Sequence, residues 1–403
     1  MLRHIPFLKA VLYYTLTAFG GPQGHIGMMI KTFVHKRHDV TEEELIEYNA
    51  FCQILPGPSS TQTIMLIGWK RGGIPLALLS LLIWMLPAVL IMTVFSFLIY
   101  YLSAATLPEH LFRFIHPMAV GFAAYAAFKM MRKSVNNPMT YGIMLFAIIA
   151  TLIIRTAWLF PLMLVLGGIM TNFSKKRIAP SRETPKPIRW INLWLFALVF
   201  VIIGIVSEAA RIYDWEHRRL AHIAENFYRF GSIVFGGSQA LLPMMLIQFV
   251  ALPERRGILA PISAADIMTG YGLVQAVPGP VFSVSAFVGG MMMSAYGPFW
   301  QIAGSVVATL CIFFPSTLLL LFFFPVYQNL KKHVIIYRAL EGIYAVIVGI
   351  IWASAVILFM EINKTSFDWM SLVWTIVSFC VLQFTRLPAP ILVVISLVLG
   401  WLF

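Results

Sequence analysis

Apolar runs of bilayer length follow one another along almost the whole chain, and that feature constrains its fold more than any other. Roughly 17–25 consecutive apolar residues make a helix long enough to cross the hydrocarbon of a membrane. Such runs occupy 5–30, 48–69, 74–102 and 111–131, followed by a shorter pair at 139–154 and 156–172. They recur at 222–247, 268–291, 298–325 and 335–359, again with a short pair at 369–384 and 388–403. Of the 403 residues 60% are hydrophobic and only 11% charged, where soluble domains carry roughly 25% charged residues. So few charges cannot clothe a surface that faces water, so most of the outside must face lipid, and the chain reads as an all-α polytopic membrane protein.

The formal net charge of +13 comes from 29 Lys and Arg against 16 Asp and Glu. In a membrane chain such an excess gathers in cytoplasmic loops and sets orientation, so no nucleic-acid partner is inferred from it. Cys52, Cys311 and Cys380 are far apart in apolar surroundings and read as packing residues. Arg3 and Lys9 precede the first apolar run, but Gly20-Gly21-Pro22-Gln23-Gly24-His25 interrupts it where a signal peptide would stay apolar, so this run is expected to be retained.

The runs form two related halves. Phe19-Gly20-Gly21-Pro22-Gln23 returns 216 residues later as Phe235-Gly236-Gly237-Ser238-Gln239, and Phe33-Val34 as Phe249-Val250 at the same offset. At an offset of 222, Gln53-Ile54-Leu55-Pro56-Gly57-Pro58 returns as Gln275-Ala276-Val277-Pro278-Gly279-Pro280, and later Pro87 pairs with Pro315 and Gly121 with Gly342. Ordered matches at slowly drifting offsets mark an internal repeat. Between the halves lie a polar, basic stretch at 173–190 and one further apolar run at 191–210. The division is 1–175 for the first repeat, 176–215 for the basic linker and linker helix, and 216–403 for the second repeat. About six segments plus one linker span would place the second half upside down, the inverted-topology plan of many secondary transporters.

A thirteen-span arrangement with the N-terminus inside puts 19 Lys and Arg in inner loops and nine in outer ones, with Arg229 left inside a span. The short terminal pairs are read as tilted spans or re-entrant pairs.

Chemistry is expected at the Gly-Pro pairs, because they interrupt helices within apolar runs. A broken backbone at that depth needs protein or water around it. Gly21-Pro22, Gly57-Pro58 and Gly279-Pro280 each predict a half-helix starting at mid-membrane, and Gly236-Gly237-Ser238-Gln239 predicts a fourth with a hydroxyl cap. Helix starts expose N–H groups at the positive end of the dipole and attract anions. Ser59, Ser60, Thr61 and Gln62 add neutral donors after one start, and Ser283 follows another. Pro56 and Pro278 precede the two Gly-Pro steps, with Gln53 and Gln275 ahead of them as hydrogen-bond donors or simple helix bridges. Gly20 belongs to the first break. His25 follows it, either as a packed residue or as a source of positive charge. Arg229 lies one turn before the second-half break, either facing the site or snorkelling to the interface. The structural reading of the same residues is kink and packing, with no ligand.

An enzyme would need a nucleophile with its base, an acid/base pair or clustered metal ligands, and the sequence presents no such set, no phosphate loop and no call for a cofactor or metal.

Phe19-Gly20-Gly21-Pro22 with His25-Ile26-Gly27, Cys52-Gln53-Ile54-Leu55-Pro56-Gly57-Pro58 with Ser60-Thr61-Gln62, and Pro278-Gly279-Pro280-Val281-Phe282 together resemble the signatures of the chromate ion transporter family in its long, two-domain form. The resemblance covers nearly the whole chain, though the second-half break carries Ser238-Gln239 where the family more often has a further Gly. It implies movement of chromate, a tetrahedral dianion similar to sulfate, usually as export that confers chromate resistance, from a bacterial plasma membrane. A sulfate or other oxyanion importer coupled to protons or cations stands as the alternative, and an enzyme acting on a lipid-linked phosphate as a remote one. The expected partners are the oxyanion, the lipid bilayer and, as a homodimer, a second copy of the chain.

Overall fold

A computed structural model describes residues 2–19, 21–103, 110–154, 156, 159–172, 191–235, 240–326, 334–364, 366–385 and 387–402. All regular structure among them is helical. The chain begins with α1 (Ile5–Thr17), α2 (Gly21–Met29, prolonged by a π-helical stretch Ile30–Lys36), α3 (Glu42–Cys52) and α4 (Ser59–Ser103). Then come α5 (Ile115–Ser134), α6 (Pro138–Ile154), α7 (Leu159–Thr171) and the linker helix α8 (Ile191–Ile212). The second half holds α9 (Arg218–Ile233), α10 (Leu241–Leu246, prolonged by a π-helical stretch Ile247–Ala251), α11 (Leu252–Arg255), α12 (Ala264–Val274), α13 (Val284–Met293) and α14 (Pro298–Phe323). It closes with α15 (Val334–Ile362), α16 (Trp369–Phe384) and α17 (Ala389–Leu402).

The local features recur between halves at the offsets read from the sequence. Both π-helical stretches fall on the Phe-Val pair, Phe33-Val34 and Phe249-Val250. Thr41 caps α3 by accepting from the Glu44 N–H, and Ser263 caps α12 by accepting from the Asp266 N–H. Gly57 and Gly279 both hold positive φ, +106° and +122°, a conformation that L side chains rarely adopt.

The first two apolar runs of each half do not cross the membrane as single spans. Tyr14 Oη donates to the His25 carbonyl and the Phe7 and Phe33 rings lie 5.9 Å apart, so α2 runs back along α1. Lys70 Nζ lies 2.6 Å from Glu44 Oε1, so the start of α4 runs back along α3. In the second half Phe249 packs on Phe227 and Phe230, folding Leu241–Leu246 and the stretch after it against α9. The thirteen-span expectation, in which 5–30, 48–69, 222–247 and 268–291 each cross the membrane as a broken helix, is therefore corrected to helical hairpins with the Gly-rich breaks at their tips, the fourth closed by Phe287 of α13 against Gly270 of α12. The physical reason is that the breaks release the chain from its helical course, and Phe, Tyr and Trp burial on the returning arm stabilises the fold-back, at about 1.5–3 kcal/mol for each large apolar side chain.

Helix α4 relates these hairpins. It bends at Gly72–Gly73, where Gly73 has φ +72° and the His4 ring lies against Gly72. Further along, Ala88 meets Gly279 at a second-half tip, and Ser96 lies beside Gly290 of α13. Helix α14 mirrors it: Gln301 Nε2 donates to Ser96 Oγ at 3.3 Å, Ser316 meets Gly57, and Phe324 just beyond its end packs on Tyr48, Phe51 and Trp69.

Both long helices carry an apolar row at every fourth residue that no other described helix covers. Leu78, Leu82, Leu86, Leu90, Val94 and Leu98 form it on α4, and Ile302, Val306, Leu310 and Phe314 on α14. Among the described residues four helices are long and apolar enough to span a bilayer, those over Ser59–Leu102, Ile191–Ile212, Pro298–Phe323 and Arg338–Ile362. The short helices α6, α7, α16 and α17 pack around α15 and α5, with Gly167 of α7 in backbone contact with Gly342 and Gly349 against Met144. Small residues at helix crossings permit this close approach in lipid.

Candidate anion site at the helix breaks

The tips of the four hairpins meet, and they do so across the repeats. Gly57 N donates to the Val234 carbonyl at 2.7 Å, and Gly279 N donates to the Ala18 carbonyl at 3.1 Å. Val234 is the offset counterpart of Ala18, and Gly279 that of Gly57, so the exchange is reciprocal. A Cβ on Gly57 would fall 2.3 Å from the Ser316 Cβ, and one on Gly279 would fall 2.9 Å from the Ala88 Cβ. Ala88 and Ser316 follow the paired prolines Pro87 and Pro315. Each Gly-Pro tip is thus seated on the other repeat's long helix at a spot where only glycine fits.

The first-half tips form one polar network. His25 is 1% exposed, and its Nδ1 lies 3.1 Å from Ser60 Oγ. The Ala18 backbone lies beside the same ring, yet His25 Nε2 completes no hydrogen bond. The Trp84 ring presents its plane to the His25 ring at 89°, with centroids 5.1 Å apart. Trp84 Nε1 donates to Thr61 Oγ1 at 2.9 Å, and Tyr14 stacks on the indole with centroids 4.9 Å apart. Gln62 folds back so that Nε2 donates to the Pro56 carbonyl at 2.8 Å, while its Oε1 is buried without a partner. Ser59 begins α4, and its carbonyl accepts from Thr63 Oγ1.

On the second-half side Ser283 and Ser285 are fully buried, and their hydroxyls make no hydrogen bond. A buried polar group without a partner costs roughly 1–3 kcal/mol, and these hydroxyls and His25 Nε2 have no hydrogen-bond partner within the protein. Gln53 and Gln275 end α3 and α12 with nearly identical backbone angles and half-buried side chains, and Pro278 and Pro280 flank Gly279 in the turn that follows.

Of the residues singled out in the sequence, His25, Pro56, Gly57, Pro58, Ser60, Thr61, Gln62, Gly279, Pro280 and Ser283 are buried at these tips. Gly21 and Pro22 begin α2 as expected. Gly20, Gly236, Gly237, Ser238 and Gln239 lie outside the described residues. Arg229 is a correction: it is not brought to the tips but lines a separate cavity with Gln248, Arg256 and Thr156, because Asn226 and Glu225 on its own helix hold its side chain there. Trp84, Tyr14 and Ser316 were missed. A tryptophan within an apolar run, away from the membrane–water interface where tryptophan concentrates, was the available signal for Trp84. Among the described residues no group of three or more His, Cys, Asp or Glu is placed to hold a metal ion.

Comparison with known proteins accords with this geometry. A chromate transporter family model matches residues 5–172 and 221–401. A protein of Methanocaldococcus jannaschii described as an uncharacterized transporter is 25% identical, over 96% of this chain and 91% of its own. A chromate transport protein of Cupriavidus metallidurans is 22% identical over 95% of this chain and 88% of its own, and a probable chromate transport protein of Synechococcus elongatus is 23% identical over 98% and 95%. No solved structure matches the chain. With a match over both halves and bilayer-length apolar helices in each, this integral membrane protein belongs to the chromate transporter family.

Proposed function

We propose that the chain is a secondary transporter of chromate that exports the oxyanion across the bacterial plasma membrane by alternating access between two inverted repeats. The observation that carries this reading is the reciprocal pairing of the broken tips, Gly57 with Val234 and Gly279 with Ala18, beside buried donors that lack acceptors. Helix N-termini and hydroxyls suit a tetrahedral dianion, because they supply hydrogen bonds without a fixed charge that would hinder release. The substrate-binding set is Gly20, Gly21, Pro22, His25, Gln53, Pro56–Gln62, Gln275, Pro278–Pro280 and Ser283, together with Gly236–Gln239.

The inverted relation is supported by the order of contacts along α4 and α14: first-half hairpin ends at one end, tips in the middle, second-half hairpin ends at the other. Charge supports it too. With hairpins in place of single spans, Lys31, Lys36 and Arg37 move to the inner face and Arg255 and Arg256 to the outer, changing 19 against nine into 20 against eight. The two stretches matched by the family support repeats at 1–175 and 216–403 around a linker at 176–215.

Direction follows from charge. With the cell interior negative, moving a dianion outward gains about 4.6 kcal/mol per 100 mV, twice the value for one charge, so the membrane potential alone drives export and opposes import. The test is radiolabelled chromate flux in everted vesicles, with an imposed potential and excess sulfate as competitor. Accumulation that requires a positive interior and disappears in Ser60→Ala or Pro58→Ala supports export through this site. Flux no greater than in vesicles lacking the protein overturns chromate as the substrate, and displacement by equimolar sulfate reassigns the site to sulfate.

A further inference from the structure

A cavity of about 410 Å³ lies beside α9, between Arg229, Gln248 of the π-helical stretch, Arg256, Leu252 and Thr156 of the α6–α7 connection. Its described lining holds two guanidinium groups and no carboxylate. Arg229 is steadied from its own helix by Asn226 Oδ1 and by Glu225 Oε1 at 3.5 Å, and Glu225 in turn accepts from Ser207 of the linker helix at 2.8 Å. Held from behind in this way, the fork of Arg229 donors is preorganised toward the cavity, and Gln248 and Thr156 add neutral donors.

Two observations say what this cavity faces. The counterpart of Arg229 at the repeat offset of 216 is Tyr13, which is 64% exposed between the exposed Leu12 and Leu16, so this face of the hairpin looks toward lipid in the first half. Beside the cavity the chain after α11 carries Ile258 and Leu259, the latter 92% exposed. Apolar side chains that exposed, next to a cationic cleft, match the border between headgroups and acyl chains, where arginine reaches toward phosphate. A cavity serving the transported anion would have a polar rim and include the helix breaks; this one has a largely apolar rim and none of the residues at the tips.

We infer that the cavity is a binding site for the phosphate of an anionic phospholipid in the leaflet on the Arg255–Arg256 side, with Arg229 and Arg256 contacting the phosphate oxygens and Leu252 and Leu259 against the acyl chains. The chemistry shared with a free oxyanion is the tetrahedral phosphate; the lipid is distinguished by its tails. The inference rests on the bilayer orientation given above and not on chromate being the substrate.

The test uses the full chain, purified and delipidated in a neutral detergent. Melting is followed on addition of phosphatidylglycerol, phosphatidylcholine or sodium phosphate, with native mass spectrometry counting retained lipid. A ligand that binds only the folded protein raises its melting temperature. The expected result is a rise of several degrees with phosphatidylglycerol and little with the other two. That rise is halved or more in Arg256→Gln, an exposed position that tolerates exchange, and further reduced in Arg229→Gln, with loss of retained lipid in both. An equal rise in wild type and Arg256→Gln overturns the site. A rise with sodium phosphate that leaves phosphatidylglycerol without further effect overturns the lipid and makes this a free-oxyanion site.

Discussion

The two halves present unlike tips on the same backbone. In the first half, Trp84 joins His25 and Thr61, His25 reaches Ser60, and Gln62 and Thr63 bond to the Pro56 and Ser59 carbonyls; at the positions of His25, Ser60, Thr61, Gln62 and Thr63 the second half has Leu241, Phe282, Ser283, Val284 and Ser285, with Ile312 in the place of Trp84. Thr61 is satisfied by the Trp84 N–H, whereas the isoleucine in the place of Trp84 has no hydrogen-bonding group, and the Ser283 hydroxyl is left without a partner. A shared backbone thus supports one tip whose polar groups are mostly bonded to one another, with His25 Nε2 and Gln62 Oε1 left over, and one whose hydroxyls have no partner within the protein. The geometry of a break is set by Gly and Pro, while the chemistry around it is set by a few side chains that change freely between copies.

The sharpest way to break this comparison is at the glycines. Gly57→Ala is expected to cost about 3–5 kcal/mol, from backbone strain at positive φ and a contact the Ser316 Cβ cannot accommodate. Gly279→Ala, which meets only a methyl group at 2.9 Å, is expected to cost about 1–3 kcal/mol. Thermal melting of the purified chain ranks the two, and Ser316→Gly should restore part of the loss in Gly57→Ala but none in Gly279→Ala.

Function should divide unevenly between the tips. His25→Leu is expected to lower chromate flux about 10–100-fold, the range for one lost hydrogen bond to a charged group. Leu241→Ala should change flux less than about 3-fold, within the small losses expected where no hydrogen bond to the anion is removed. Equal losses at the two positions would erase the asymmetry. Trp84→Phe keeps the ring and removes the N–H, so it makes Thr61 resemble Ser283. Its expected cost is about 1–2 kcal/mol of stability, measured by melting, with no comparable loss for Ile312→Val.

The smallest effects sit at the helix caps. Thr41→Ala and Ser263→Ala should each cost about 1 kcal/mol, the first more because Glu44 also accepts from the Thr41 N–H in a full capping box. Glu44 is held below its usual carboxylate value by its hydrogen bond with Lys70, which together with the Thr41 N–H outweighs the opposing effect of partial burial. A lowered pKa in the folded state contributes stability that is present above the unfolded value of 4.5 and is lost as pH falls through the folded one. The pair is partly exposed, so the effect is under about 1 kcal/mol. An acid melting series in which Lys70→Gln flattens the slope below pH 5 is the expected outcome.

The periodicity of apolar runs, the repeat offsets and the Gly-Pro breaks were legible because each depends on residue type along the chain. That the runs fold back on themselves was not, since a hairpin of two short helices and one long helix have the same hydropathy, and only contacts such as Lys70 with Glu44 or Tyr14 with His25 separate them. Trp84 lies 23 residues from Thr61 and Ser316 far from Gly57, so no local pattern could place them in the site. Arg229 was singled out correctly as a costly residue within an apolar run, but cost alone does not say which way a side chain points.

The crossed hydrogen bonds at the tips also bear on how the chain is made. Ala18 is synthesised well before Gly279, yet its carbonyl has Gly279 N as its partner. At roughly 5–20 residues per second, the roughly 260 residues between them take on the order of tens of seconds to synthesise. Through that interval the first half sits in lipid with an open tip, a state that hydrocarbon penalises. The first half is therefore an unfinished subunit until the second arrives, in the manner of one partner of a two-fold dimer, and nascent chains arrested before residue 279 should be favoured targets of membrane quality control.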